Sequence, residues 1–262
     1  MFLSCRRPVA AGDTVWAMGF EAQTDGDAFG AALLSHLERG DDGFHVIERD
    51  DGFAEVASAS VYFGDIDAWS AGESQAIEMA TGRVLDVGAG AGRATLHLQE
   101  SGIDATALDV SAGAIEVCRR RGVRQVWYGT LEDLATHSPE SFDTFVFFGN
   151  NLGMIGSTEA ATGWFEALRR LANPGARVIG TTLDPYMTND PDHLRYHEWN
   201  RRRGRMAGHL TARLRYRAQA TPWFDLLWVS IDELRDIVEP LGWEMTAHWL
   251  DGLFQTVVLE MR

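Results

Sequence analysis

From Gly82 onward the apolar residues fall into short unbroken runs, separated by longer stretches with helical spacing. "RVLDV", "ATALDV", "RQVWY", "FDTFVFF" and "ARVIGTTL" read as strands. Residues 91–101, 111–121 and 157–172 read as the helices between them. Unbroken apolar strands alternating with helices predict a parallel, doubly wound α/β sheet, because such strands are covered on both faces.

The pattern differs on either side of this region. Residues 24–39 read as a short helix, and "HVIERDDGFAEVAS" as a hairpin turning at Asp50-Asp51-Gly52. After Asp184-Pro185, residues 190–204 are helical in spacing. "HLTARLRYRA" then alternates, with Leu210, Ala212, Leu214 and Tyr216 on one face and Thr211, Arg213, Arg215 and Arg217 on the other. That is the period of a half-buried strand. "WFDLLWV" is its expected antiparallel partner across a turn at Thr221-Pro222. Ser230 and Glu233 form a capping box for a helix reaching Leu241, and the chain closes with a strand pair around Asp251-Gly252. The expected division is a disordered tail over 1–23, an N-terminal cap over 24–80, and a main domain over 81–262 with an insert at about 185–222. Met18 is a candidate start.

Composition narrows the classes. The chain has 262 residues, 45% of them hydrophobic, and no apolar run of membrane-spanning length. Arg6-Arg7 is not followed by the apolar stretch of an export signal, so the expected location is the cytoplasm. Cys5 and Cys118 are too few for a disulfide framework or a zinc cluster, and Cys118 reads as a core thiol. The net charge of −15 argues against generic nucleic-acid binding. The charge is uneven, however. All 23 basic residues are arginine, and eight of them lie between Arg195 and Arg217.

The most informative stretch is "VLDVGAGAGRATLHL". A strand ends at Asp86-Val87, and Gly88-Ala89-Gly90-Ala91-Gly92 leads into a helix. Open α/β sheets bind ligands at this edge. The dinucleotide pattern G-x-G-x-x-G fails, since Arg93 occupies its last position. A carboxylate inside the strand, Asp86, suits a cationic ligand better than a pyrophosphate. Asp109 ends the second strand, where a carboxylate can accept both hydroxyls of a ribose. Together these features point to S-adenosylmethionine, which carries an ammonium and a sulfonium and no phosphate.

On "GRVLDVGAGAGR", "ALDVS", "GTLEDL" and "FDTFVFFGNNLGMIG", residues 45–262 resemble the Rossmann-like (class I) S-adenosylmethionine-dependent methyltransferases, in particular bacterial small-molecule members. The resemblance implies a mostly parallel seven-stranded sheet, with the terminal hairpin added antiparallel at one edge and an insert after the fifth strand. It implies that Asp86 and the Gly88, Ala89 and Gly90 backbone hold the methionine end. Asp109 would hold the ribose, Val110 would lie against the adenine, and Gly129, Thr130 and Leu131 would lie at the adenine contacts. Thr130 stands where many relatives carry an aspartate, which leaves the adenine amino group to the backbone or Glu132. "ASVYFGDIDAW" resembles the family's lead-in and suggests that Tyr62 and Phe63 lie over the cofactor.

Gly149-Asn150-Asn151 ends the fourth strand, beside the expected methyl group. Asn150 is expected to bond the backbone around the cofactor and Asn151 to face the substrate; the competing expectation is that both simply terminate a strand. Methyl transfer is an in-line displacement that positioning alone can accelerate, so a dedicated base is optional. Asp184, Tyr186, His193 and His197 are the insert's candidates, with His193 a possible base. The i,i+4 histidine pair has metal-like spacing but no clear third ligand, so no metal is expected. Tyr62, Trp69, Tyr196, Trp199 and Trp223 are candidates for an apolar wall around an aromatic acceptor. The expected activity is methyl transfer to an oxygen or nitrogen of a small molecule. Two alternatives stand beside it: an RNA methyltransferase using Arg195–Arg217, and a cofactor-binding protein without activity.

Overall fold

The computed structural model describes residues 26–262; the expected tail, Met18 and Cys5 lie outside the described residues. In chain order the cap contributes α1 (Ala28–Arg39), β1 (His45–Arg49), β2 (Ala54–Ala57) and α2 (Ala71–Ile77). The alternating region follows as β3 (Arg83–Val87), α3 (Arg93–Glu100), β4 (Asp104–Asp109), α4 (Ala112–Arg121), β5 (Val126–Tyr128) and α5 (Leu131–His137). It continues with β6 (Phe142–Phe147), α6 (Thr158–Leu171) and β7 (Ala172–Leu183). The insert holds α7 (Pro191–Arg202), β8 (His209–Tyr216), β9 (Gln219–Ala220) and β10 (Phe224–Leu227). The chain closes with α8 (Ile231–Val238), β11 (Trp243–Asp251) and β12 (Phe254–Met261).

The main sheet has seven strands in the order β11-β12-β7-β6-β3-β4-β5. The five from β7 to β5 run parallel, and β12 and β11 complete the β7 edge antiparallel, as expected. Helices cover both faces. α5, α6 and α8 bury Leu134, Trp164, Leu168 and Leu234 against Leu85, Phe145 and Val178. On the other face α2 and α3 bury Ile77 and Leu98 against Val84, Val146 and Ile179. α6 shows the logic of these contacts: Ala161, Trp164, Phe165, Leu168 and Leu171 are its buried stripe, at the spacing that puts apolar side chains on one helical face. Transferring such side chains from water gives roughly 1.5–3 kcal/mol each.

Strand order fixes the position of the site. From β3 the chain steps to β4 on one side, while β6 lies on its other side. The carboxyl ends of β3 and β6 therefore border the topological switch point, where crossovers leave in opposite directions and open a crevice.

The cap and the insert share a second sheet, ordered β10-β8-β1-β2, with β9 paired to β8. β1 pairs antiparallel with β8, from Val46 opposite Arg215 to Arg49 opposite Ala212. The alternation expected in β8 holds, with Leu210, Ala212 and Tyr216 buried. The expected β8–β10 pairing also forms. The turn lies elsewhere: the chain reverses at Arg217-Ala218, with Arg217 at φ 54°, and Thr221 still exchanges hydrogen bonds with Leu214. The insert's strands reach Leu227, past residue 222. Two short helices, α2 and α5, add to those the pattern indicated.

Candidate active site

The glycine loop leaves β3 at the switch point, and Gly88, Gly90 and Gly92 all have positive φ. A Cβ on Gly88 would come within 2.4 Å of Asn151 Nδ2, so glycine is required there for close approach as well as for conformation. A Cβ on Gly90 would first meet ring atoms of Phe29 and Tyr62, each at 3.7 Å, which places the cap's aromatic rings directly above the loop.

Two buried carboxyls flank the loop. Asp86 Oδ2 accepts from Thr95 N at 3.1 Å and from Thr95 Oγ at 2.7 Å, tying β3 to α3. Asp109 Oδ2 accepts from Gly90 N at 2.9 Å, and its Oδ1 accepts from Ser111 N at 2.8 Å. Burial pushes both carboxyls up to about 6, against the opposing effect of these hydrogen bonds. Asp27 adds a third acid nearby. It caps α1 through Gly30 N and accepts from Ser111 Oγ and Gly113 N, clamping the cap onto the start of α4.

The loop's amides are largely engaged. Gly88 N and Ala89 N donate to Leu108 O, Gly90 N donates to Asp109, and Gly92 N donates to Ala89 O. A pyrophosphate would find carboxylates and occupied N–H groups, the reverse of an anion cradle. A ligand with cationic centres and ribose hydroxyls finds acceptors. The residues present therefore fit S-adenosylmethionine.

The bond to the loop backbone that was expected of Asn150 is made by Asn151. Asn151 Nδ2 donates to Gly88 O at 2.7 Å and to Val87 O at 3.3 Å, so the second asparagine holds the loop backbone. Asn150 adopts φ 67°, its backbone N–H donates to Thr181 Oγ at 2.8 Å, and its buried Oδ1 has no partner among the described residues. The left-handed backbone of Asn150, a conformation asparagine tolerates, turns the chain so that the next side chain points back across the crevice.

Of the other expected site residues, Tyr62 borders Gly90, while Phe63 packs on His36 and beneath Arg121, which donates to Ala91 O of the loop. Val110 is 63% exposed at the end of β4, an apolar surface open to a ligand. Gly129 N donates to Asp109 O. The Thr130 side chain is committed to a capping box with Asp133, and the Leu131 side chain is buried in the core under α5, which leaves only backbone to offer there.

Several wall candidates are structural. Trp69 is 8% exposed, packs edge-on to Phe148 and donates its indole N–H to Gly64 O. The Tyr196 hydroxyl donates to Asp50 at 2.7 Å and accepts from Thr211 N, joining the insert to the cap. Trp223 is exposed beneath the Arg213 guanidinium, and Trp199 lies under Arg203. His193 packs edge-on to Phe53 and contacts Thr188, and His197 is buried on α7. Asp184 accepts from Tyr186 N, and the Tyr186 hydroxyl donates to Glu233; burial and that carboxylate push the phenol up to about 12.

Glu73 is a site residue the sequence reading did not find. Its Oε1 accepts from Arg93 at 2.8 Å and from Gly149 N at 3.2 Å, and Arg93 lies over the Trp69 ring. The only signal was Ser70-x-x-Glu73, which reads as a helix cap. Ser70 does cap α2, but the glutamate turns instead to the glycine-loop helix.

Residues 84–189 match the family described as methyltransferase domain. The chain is 32% identical over 116 residues to a ubiquinone biosynthesis O-methyltransferase of Xanthomonas euvesicatoria pv. vesicatoria, covering 42% of this chain and 47% of the relative. It is 31% identical over 134 residues to a demethylmenaquinone methyltransferase of Clavibacter sepedonicus, covering 48% and 54%. These matches thus span about half the length of the curated relatives. Among solved structures, an S-adenosylmethionine-dependent methyltransferase from Bacteroides fragilis, in complex with S-adenosyl-L-homocysteine, superposes with a TM-score of 0.78 at 26% identity, over 91% of this chain and 96% of that one. The strand order, the acid-flanked glycine loop and these likenesses agree: the chain carries a class I S-adenosylmethionine-dependent methyltransferase domain.

Proposed function

We propose that the protein transfers a methyl group from S-adenosylmethionine to an oxygen or nitrogen of a small molecule. The observation that carries this reading is the pair of buried carboxyls, Asp86 and Asp109, beside a glycine loop whose amides are already engaged. The bound cofactor supplies an electrophilic methyl on a sulfonium. Asp109 is the acceptor for the ribose hydroxyls, Asp86 lies toward the methionine end, and Tyr62 covers the loop. Asn151 keeps the loop in register with β6, and Asn150 Oδ1, at the strand end, is buried with no donor among the described residues. Positioning of this kind suits an in-line displacement, in which alignment provides much of the acceleration. That the relatives are described as a ubiquinone biosynthesis O-methyltransferase and a demethylmenaquinone methyltransferase favours a small acceptor here.

RNA is the weaker reading. Arg213 and Arg215 pair with Glu48, Arg201 and Arg202 with Glu198, Arg195 with Asp192, and Arg203 with Asp50. Guanidiniums already facing carboxylates make a poor phosphate track. Calorimetry with S-adenosylhomocysteine and with NAD tests the cofactor, and transfer of labelled methyl to a panel of phenols and amines tests the activity. Binding of NAD in place of S-adenosylhomocysteine defeats the reading. Cofactor binding with no transfer to any acceptor favours the inactive binding protein.

A further inference from the structure

Arg121 is the last residue of α4, and its side chain reaches the glycine loop. Its Nη1 donates to Ala91 O at 2.6 Å, and its Nη2 donates to Phe63 O at 3.4 Å. The guanidinium also lies over the Phe63 ring, 5.0 Å from the centroid, while His36 packs against the same ring.

The charge on this group is handled unusually. Its neighbour Arg120 faces two carboxylates, Glu38 and Glu116, at the surface. Arg121 is half-buried and has no carboxylate in contact among the described residues; Asp65 and Glu100 act on it only through space. Burying a cation without a contact anion is costly. The compensation is a set of charge-assisted bonds to carbonyls, together with the negative end of the α4 dipole. Both carbonyls belong to segments that border the cofactor crevice.

Those segments are the two sides of one clamp. Ala91 follows Gly90, and Phe63 follows Tyr62, whose ring stands 3.7 Å from a Cβ placed on Gly90. Arg121 therefore ties the backbone one residue past Gly90 to the backbone one residue past Tyr62. Cys118 lies one turn earlier on the same face of α4 and donates to Gly90 O at 3.3 Å. The loop is thus held from α4 at two successive carbonyls, and only the Arg121 contact extends to the cap.

We infer that Arg121 is a positioning residue that holds Tyr62 over the glycine loop and so sets how long the cofactor stays bound. This rests on the methyl-transfer reading above, through its cofactor. Arg121 acts through Tyr62 and the loop, not on the reacting atoms. Release of the cofactor requires the Tyr62 ring and the loop to separate. With both tied to one planar guanidinium, separation breaks at least one of its bonds. A lysine, with a compact head in place of a fork, does not span both carbonyls in the same way.

The test measures release of S-adenosylhomocysteine from the full chain by surface plasmon resonance. Arg121→Met removes the donors and keeps an apolar stem against Phe63. It is expected to raise the dissociation rate about tenfold, the scale of a lost charge-assisted hydrogen bond. The association rate should stay within about threefold, since changes of this kind fall mainly on release. Arg121→Lys should fall between wild type and Arg121→Met, and Arg120→Met should release at the wild-type rate. A lower melting temperature with unchanged release in Arg121→Met is the signature of a purely structural residue and overturns the proposal. The coupling to Tyr62 is read in a Tyr62→Ala background, where Arg121→Met should add less than about twofold. The full tenfold effect there means that Arg121 does not act through Tyr62, and this also overturns the proposal. If Arg121→Met fails to fold, Phe63→Leu decides: loss of the stacked ring should speed release about threefold, and wild-type release overturns the proposal. Failure of the wild-type protein to bind S-adenosylhomocysteine in calorimetry overturns the methyl-transfer reading and this inference with it. Unchanged release from variants of a protein that does bind overturns this inference alone.

Discussion

Asn151 reaches from the end of β6 across the switch point and donates to Gly88 O at 2.7 Å, making the fourth parallel strand and the glycine loop one hydrogen-bonded unit. Removing the Asn151 side chain frees two loop carbonyls, at Val87 and Gly88. Asn151→Ala is expected to weaken S-adenosylhomocysteine binding by about 1–3 kcal/mol, the range for lost hydrogen bonds in a buried site. Asn150→Ala removes an oxygen without a partner among the described residues and is expected to lower kcat with little change in cofactor affinity. Calorimetry and steady-state kinetics on both variants check the division. Weakened cofactor binding in Asn150→Ala alone would restore the order expected from sequence.

Asp86 and Asp109 give the protein opposed pH responses. Each is held at about 6 in the fold against 3.8 ordinarily, so between those values the folded state keeps a proton that the unfolded chain releases. Stability therefore falls as pH rises through about 4 to 6, by up to roughly 3 kcal/mol per carboxyl. Cofactor affinity should rise over the same window, because the ionised Asp109 is the better acceptor for ribose hydroxyls. Asp109→Asn should flatten both trends and cost about 1.5–3 kcal/mol of affinity at pH 7.5. Urea midpoints and calorimetry from pH 4.5 to 7.5 test this. An Asp109→Asn variant that keeps the full wild-type slope in both would refute it.

Tyr196 is assigned to joining the cap and the insert, with no contact to substrate. Its hydroxyl links Asp50 to the backbone of Thr211, and Arg49 stacks on its ring. Tyr196→Phe leaves Thr211 N and Asp50 each short of a partner, and is expected to destabilise by about 1–3 kcal/mol. KM for an acceptor should be unchanged. Denaturant titration and kinetics separate these effects, and a raised KM at unchanged stability would return Tyr196 to the acceptor wall.

The parallel sheet was legible because its strands are buried on both faces, and "RVLDV" or "FDTFVFF" can hardly be anything else once helices intervene. The loop and its two acids were legible because the backbone demands glycine and the carboxyls sit at strand ends. Of the second sheet, the β1–β2 hairpin and the β8–β10 pair were legible, but not what joins them. Pairing β1 with β8 joins residues far apart in sequence, and alternation marks a strand without naming its partner. Burial of Trp69 and Tyr196 was hidden for a related reason, since an aromatic residue has the same letter in a core and in a pocket. The roles of Asn150 and Asn151 turned on one backbone angle, the φ of 67° at Asn150, which composition does not encode. Glu73 closes the pattern Ser70-x-x-Glu73, which marks a helix start and carries no sign of its contact with Arg93.

Glu73 and Arg93 allow a sharper test of how the cap fixes the loop. Their side chains are 8% and 15% exposed, the ion pair is 2.8 Å long, and the same carboxylate oxygen receives Gly149 N. One carboxylate therefore holds three elements: α2, the helix after the glycine loop, and the turn carrying the asparagines. Removing one partner of a largely buried pair leaves the other charge uncompensated, which costs about 3–5 kcal/mol when burial is complete. With the partial exposure here, Glu73→Ala is expected to cost about 2–4 kcal/mol and Arg93→Met less, because the Met keeps contact with the Trp69 ring. The double variant should be more stable than the sum of the two predicts, with a coupling of about 1–3 kcal/mol. Glu73→Gln keeps an acceptor for Gly149 N while losing the charge, so it should retain cofactor affinity better than Glu73→Ala. Denaturant midpoints for the four-member cycle, with S-adenosylhomocysteine titrations of each, check both statements. Strict additivity, or equal cofactor loss in Glu73→Gln and Glu73→Ala, would mean that the ion pair and the Gly149 contact do not act together on the loop.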